Sequence, residues 1–284
     1  MRPARWKILL TLGRVSNLPT VWSNALAGVL LAGATLDTSF VPLAFAMSAY
    51  YVAGMFLNDY FDRDFDQRSR AERPIPAGWI APSTVAAMGS ALLVAGFASV
   101  VWLGGWKAAV SGIALAAAIV LYDAWHKDNA LGPLIMGMCR VLVYLTCALA
   151  MNGDWTPALL GGALALLCHL IGLTYLAKHE ASGRVGRPWP LALLAVPALY
   201  ALIMGRWSAS SLPLIAALTG AIYLSILLLR RRAIPKAVAL LIAAISLLDG
   251  LLIAAFAGGG TSWAWVAAAG CPATLLLHRR VSGT

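Results

Sequence analysis

Val52-Ala53-Gly54-Met55-Phe56-Leu57-Asn58-Asp59-Tyr60-Phe61-Asp62-Arg63-Asp64-Phe65-Asp66 runs directly from an apolar half into an acidic one. The apolar half closes a stretch, 41–58, that is long enough to span a bilayer. Crossing the hydrocarbon core takes about 20 mostly apolar residues in a helix. The acidic half keeps helical spacing: Asn58, Asp62 and Asp66 stand at i, i+4 and i+8, along one face. A span that opens onto a row of oxygen-bearing side chains predicts an all-α, polytopic transmembrane bundle with its chemistry at one membrane surface.

The rest of the chain agrees. Of its 284 residues, 61% are hydrophobic and 11% charged, against roughly 45–50% and about 25% in soluble domains. This excludes a disordered chain, a secreted disulfide scaffold and a soluble enzyme. Apolar runs lie near 16–34, 41–58, 82–103, 106–123, 132–151, 156–177, 189–205, 210–229, 236–257 and 262–278. We read them as ten spans of a single domain, 1–284, with no soluble domain or low-complexity linker. Pro190 and Pro197 predict a short or kinked seventh span, and Gly258-Gly259-Gly260 a turn. Met1–Arg14 is basic but has no long apolar core before a small-residue cleavage site, so the first span is expected to direct insertion. Cys139, Cys147, Cys168 and Cys271 fall in apolar runs without zinc-ligand spacing and read as small apolar fillers.

Lys and Arg total 21 against 11 Asp and Glu, a formal charge of +10. In a soluble protein such an excess would suggest nucleic acid. Here it reports topology. With a cytoplasmic N-terminus, 18 of the 21 basic residues fall on the cytoplasmic side, Lys107 and Arg206 fall outside, and Arg140 lies within a span. Cytoplasmic loops carry this excess. The pattern predicts a multi-pass protein of a bacterial cytoplasmic membrane with both termini and the charged mouth cytoplasmic, and with no nucleic-acid partner.

Three cytoplasmic segments carry the polar chemistry: 58–80, 122–129 and 178–188. Stacked side chains such as Asn58, Asp62 and Asp66 repel one another unless paired. Mg²⁺ prefers oxygen ligands and is usually held by one or two carboxylates plus substrate phosphates. The other reading is a solvated acidic helix end paired with Arg63, Arg68 and Arg70. Then Arg73-Pro74-Ile75-Pro76-Ala77-Gly78 forms a rigid turn back into the membrane. Arg73 is either a bidentate phosphate donor or an ordinary loop arginine.

Asn58-Asp59-x-x-Asp62-x-x-x-Asp66 followed by Arg73-Pro74-x-Pro76-x-Gly78 resembles the first signature of the UbiA superfamily of intramembrane aromatic prenyltransferases. Leu121-Tyr122-Asp123 with Lys127 is similar to the family's Tyr and basic residue after the fourth span. Leu131-Gly132-Pro133-Leu134-x-Met136-Gly137-x-Cys139-Arg140 looks like an EboC-like subgroup. The resemblance implies a nine-helix core, with the last span additional. It also implies two Asp-rich motifs across a central cavity, Mg²⁺ as cofactor, and an isoprenoid diphosphate as prenyl donor to a small, aromatic or lipid-soluble acceptor. On it, Asn58, Asp62 and Asp66 take a metal. Arg63, Arg73 and Lys127 meet the diphosphate, and Tyr122 sits at the cavity rim. Trp22, Tyr50, Tyr51 and Phe56 are either cavity aromatics or, more commonly for such residues, simple packing or interface anchors.

The chain departs from the family after the sixth span. Where the second motif has two aspartates, it has Lys178 and Ser182. Glu180 remains as a candidate metal ligand, Lys178 as a cation that stands in for metal charge, and Arg184 as a diphosphate partner. This departure keeps open an alternative: a membrane transporter or lipid-handling protein with the same bundle and no prenyl transfer. Polar residues inside spans default to functional hypotheses. Arg140 and Asp249 are a candidate ion pair. Asp123 either lines the cavity mouth or is solvated. Asn17 and Asn24 either bind the acceptor or join helices. His169 is expected to be a satisfied interior residue.

Overall fold

The computed structural model describes residues 3–127, 129–181, 189–258 and 261–281. Among them the chain is helical, with no strand. Helix α1 (Arg5–Leu12) and a 3₁₀ turn (Val15–Asn17) lead into α2 (Leu18–Leu31). Then come α3 (Phe40–Phe61), α4 (Arg63–Ser69), α5 (Pro82–Trp125), α6 (Gly132–Ala150) and α7 (Pro157–Ala181). The C-terminal part holds α8 (Trp189–Met204), α9 (Ser211–Arg230), α10 (Ile234–Phe256), α11 (Thr261–Ala268) and α12 (Gly270–His278). Six of the described helices are long and apolar enough to cross a membrane, and α8 is a shorter apolar one.

Three elements differ from the sequence reading, each for a local reason. The runs 82–103 and 106–123 form one 44-residue element that reverses at Gly105, whose φ of 61° suits glycine. A Cβ on Gly112 would meet the Phe97 ring at 3.3 Å and the Tyr50 hydroxyl at 3.0 Å, so the two legs lie side by side against α3. The first span is only 14 helical residues: Pro19 sits in its first turn and Gly33, at φ 73°, follows its end. The last run is bent into α11 and α12. Pro272 has no N–H for the carbonyl of Ala268, where α11 ends, and its ring crowds that carbonyl.

Helices α2 and α10 form the interior. Leu26, Leu31, Tyr144, Leu166, Leu248 and Leu252 make one core around them. Val21, Val29, Met47, Tyr50, Leu115 and Cys147 make a second on the other side of α2. Helix α2 lies close on α6, where a Cβ on Gly28 would lie 2.6 Å from the Tyr144 carbonyl oxygen. Exposed Trp102, Trp106, Trp155, Trp207 and Trp263 mark one end of the bundle, and Trp6, Trp125 and Trp189 the other. Tryptophans belong at both membrane–water interfaces. The protein is an integral, multi-pass membrane protein.

Candidate functional site

At the second of these ends the α3 helix runs almost straight through Asp62 into α4: Asp62 N–H bonds the Asn58 carbonyl and Asp66 N–H the Asp62 carbonyl, both at 2.9 Å. The helical spacing of Asn58, Asp62 and Asp66 therefore survives, and all three side chains are buried, as are Asp59 and Asp123. Buried carboxylates need partners, and each cation here arrives from a different segment. Lys127 Nζ lies 2.8 Å from Asp62 and over the Phe65 ring, with His126 3.7 Å from the same carboxylate. Arg73, carried by the Pro74–Gly78 turn, reaches Asp66 at 2.8 Å and Asp59 at 3.3 Å. Arg14, left of α2 in a left-handed conformation at φ 42°, reaches Asp59 at 3.2 Å and Asn58 at 3.4 Å.

Arg14, Arg73 and Lys127 thus pair with three buried carboxylates, Asp59, Asp62 and Asp66, while a fourth, Asp123, is met only by the Asn58 amide among the described residues. Two oxygens are left buried without a donor: Oδ1 of Asp66 and Oδ2 of Asp123, whose Oδ1 accepts from Asn58 at 3.2 Å. A donor set of hard oxygens with two acceptors to spare fits a divalent cation completed by phosphate oxygens. It does not make a closed protein cage: among the described residues, no three His, Cys, Asp or Glu are gathered for a metal.

Behind this mouth lies a cavity of about 220 Å³. Asn58, Asp123, Arg14 and Tyr122 line its polar end, and Tyr50, Tyr51, Cys139, Arg140 and Asn17 its flank. Val21, Met47, Leu115, Met136, Leu173 and Ile245 make the remainder apolar. Tyr122 stacks on His126, with centroids 4.8 Å apart. Asn17 donates to the Tyr51 hydroxyl at 3.0 Å and pairs with His278 Nε2 at 2.7 Å.

A second buried polar network sits at mid-membrane. Asp249 on α10 accepts from Ser23 at 2.5 Å, from the Asn24 amide at 2.8 and 3.1 Å, and from the Tyr144 hydroxyl. The expected Arg140–Asp249 ion pair is instead a relay. Arg140 donates to Asn24 Oδ1 at 2.8 Å and to Thr20 at 3.1 Å, and Asn24 carries the link to Asp249. Asn24 is spent on this relay and does not line the cavity, so it joins helices and has no amide group left for an acceptor.

Other expectations are corrected too. Arg63 turns away from Asp62: it stacks on Tyr60 at 4.6 Å, donates to the Tyr60 carbonyl and faces Asp64 at 3.7 Å. Trp22 is 44% exposed and bonds Ser48, and Phe56 packs with Ile8 and Val85, so neither lines the cavity. His169 bonds the Leu241 carbonyl through Nε2, but its buried Nδ1 has no partner. The side chains of Lys178 and Glu180, and all of Ser182 and Arg184, lie outside the described residues. Sequence reading missed Arg14, counted there only as a topology charge, and Asp59, which is off the face shared by Asn58, Asp62 and Asp66.

A family model described as the UbiA prenyltransferase family matches residues 19–282. The chain is 34% identical over 90 residues to a digeranylgeranylglyceryl phosphate synthase of Methanothrix thermoacetophila, covering 31% of this chain and 34% of that one. It is 36% identical over 122 residues to a 4-hydroxybenzoate octaprenyltransferase of Sodalis glossinidius, covering 42% and 40%. The matches thus span about a third to two-fifths of the length of these relatives. The fold is that of a UbiA homolog from Archaeoglobus fulgidus solved with DMAPP and Mg²⁺, with TM-score 0.57 and 16% identity over 86% of this chain and 99% of that one.

Proposed function

The chain belongs to the UbiA prenyltransferase family, and we propose that it transfers a prenyl group within the membrane. The donor is an isoprenoid diphosphate and the acceptor a small, aromatic or lipid-soluble molecule. One observation carries the reading: a buried cluster of carboxylates and cations with two unserved oxygens, one of them on Asp123, joins a largely apolar cavity through Arg14, Asn58 and Asp123. A charged head on a greasy tail fits that division.

Asp62, Asp66 and Asn58 would hold Mg²⁺ there, as the unserved Asp66 oxygen allows. Bound Mg²⁺ supplies positive charge where negative charge grows on the departing diphosphate. Arg14, Arg73 and Lys127 each have N–H groups beyond those engaged by carboxylates, and these bind and orient the diphosphate. The apolar wall excludes water from the allylic cation left when the C–O bond breaks, and the Tyr50 and Tyr51 rings face that space. As the acceptor attacks, Asp123 Oδ2 is free to receive the proton it loses. Lys178, Glu180 and Arg184 enter the proposal from the sequence alone, as a further metal ligand and diphosphate partners. Residues 1–284 are read as one domain in a bacterial cytoplasmic membrane, mouth and termini inward, on the strength of 18 of 21 basic residues sharing a side.

The test is purified protein with prenyl diphosphates of several chain lengths, with and without Mg²⁺, reading pyrophosphate and prenylated product together. Mg²⁺-dependent formation of both supports the reading. A second reading, transport or lipid handling, draws on the altered second motif, with Lys178 and Ser182 in place of aspartates. It expects lipid binding or flux with no pyrophosphate at any chain length.

A further inference from the structure

We propose that the recess between α1 and the Arg73–Trp79 turn is a binding site for an anionic phospholipid, separate from the reaction cavity. The lipid belongs to the leaflet at the mouth end and is not a substrate, so the inference goes beyond prenyl transfer and does not depend on it. Two adjoining pockets carry it. The first, of about 260 Å³, is polar, with Lys7, Thr11, Arg14, Asp59, Glu72 and Arg73 in its lining. The second, of about 320 Å³, is largely apolar, with Leu9, Ile80, Ala81 and Met88 beside Arg5 and Thr84. Ile8 and Trp79 wall both pockets, so the two are continuous.

Charge decides what the polar pocket takes. Arg14 and Arg73 are held by Asp59 and Asp66 and belong to the mouth cluster. Among the described residues, Arg5 and Lys7 form no ion pair with a carboxylate, and neither does Glu72. The two open cations therefore outnumber the one open acid. The Lys7 ammonium rests 5.4 Å from the Trp6 ring centroid, and both residues are exposed. Each Lys or Arg at a membrane surface favours an anionic lipid roughly five-fold.

Depth decides that the anion carries a tail. Ile8 and Leu12 bury α1 against Phe56, Ile75 and Val85, which holds Trp6 at the interface of the mouth end. Lys7 is then at headgroup level. Ala81, Thr84 and Met88 stand at i, i+3 and i+7, on one face of α5 where it leaves the mouth end. The apolar pocket thus descends about 10 Å toward the hydrocarbon. A phosphate beside Lys7 with an acyl chain along α5 fills both pockets in that order, whereas a soluble anion uses only the first.

The experiment titrates the full chain in detergent with phosphatidylglycerol, phosphatidylethanolamine and phosphatidylcholine of one chain length, counting bound lipid by native mass spectrometry. We expect phosphatidylglycerol to bind about ten-fold tighter than the other two. Arg5→Gln combined with Lys7→Gln should erase that preference. Removing two charges elsewhere, with Arg230→Gln and Arg231→Gln at the exposed end of α9, should leave it intact. Thr84→Phe, which fills the apolar pocket, should weaken phosphatidylglycerol. Glycerol 3-phosphate should fail to displace that lipid at about hundred-fold excess, because it has no chain to bury. Equal binding of the three lipids by the wild type overturns the proposal. So does a preference that survives the Arg5 and Lys7 changes, or one lost equally with Arg230 and Arg231. Displacement by glycerol 3-phosphate overturns the lipid and leaves a soluble-anion site. If the Arg5 and Lys7 variant unfolds, salt decides. A preference set by exposed cations must shrink as the Debye length falls from about 10 Å to about 3 Å, and one that does not shrink contradicts the proposal.

Discussion

Two buried polar clusters lie in this bundle, and they differ in what they leave unpaired. The mid-membrane cluster is closed: every oxygen of Asp249 is met by Ser23, Asn24 or Tyr144, and Asn24 passes the link to Arg140. It ties α2, α6 and α10 beside the core they share. The mouth cluster is open: Arg14, Arg73 and Lys127 pair with three of its four carboxylates, and Asp66 and Asp123 each keep a buried oxygen without a donor. An unmet buried acceptor costs about 1–3 kcal/mol. A saturated network stabilises a fold. An unsaturated one, beside a cavity, is where a ligand belongs.

The contrast can be broken from either side. The largest effect is expected at the closed cluster. Asp249→Ala strips an acceptor from three side chains and the counter-charge from Arg140, and should cost about 3–5 kcal/mol of stability, seen as an earlier unfolding transition in detergent. Its folded fraction should still bind a prenyl diphosphate. At the open cluster Asp66→Ala should do the reverse. Arg73 keeps Asp59 at 3.3 Å, so the fold should hold, while turnover falls about 10²–10³-fold, or roughly 2.7–4 kcal/mol. A smaller effect is expected from Lys127→Met. It frees Asp62 from its 2.8 Å partner and removes one diphosphate donor. KM for the donor should rise about ten-fold, near 1.4 kcal/mol.

The open cluster was partly legible in the sequence because its first members share one helix. Asn58, Asp62 and Asp66 are related by helical geometry alone, and Arg73 is tied to that helix end by a short connection, whereas Lys127 arrives from beyond α5. Arg14 reaches Asn58 and Asp59 from 44 and 45 residues away, and no local pattern encodes that. The closed cluster was legible only as a list of odd residues. Asp249, Arg140 and Asn24 all stood out in apolar runs, but the sequence suggested a direct pair. The distance between α6 and α10, set by core packing, inserts Asn24 between them. Helix phase explains the aromatics: Tyr50 and Tyr51 face the cavity, whereas Phe56 turns to α1 and the first leg of α5. The bend in the last span has a visible cause in Pro272, yet a single proline does not by itself say where a helix resumes.

The central claim is that the open cluster, and not the closed one, binds the diphosphate head. Its most direct test is Mg²⁺-dependent binding of a prenyl thiolodiphosphate to wild type, Asp66→Ala and Asp249→Asn, each normalised to folded protein. We expect binding in wild type and Asp249→Asn and loss of at least ten-fold in Asp66→Ala. Unchanged binding in Asp66→Ala, or loss in Asp249→Asn alone, would contradict it.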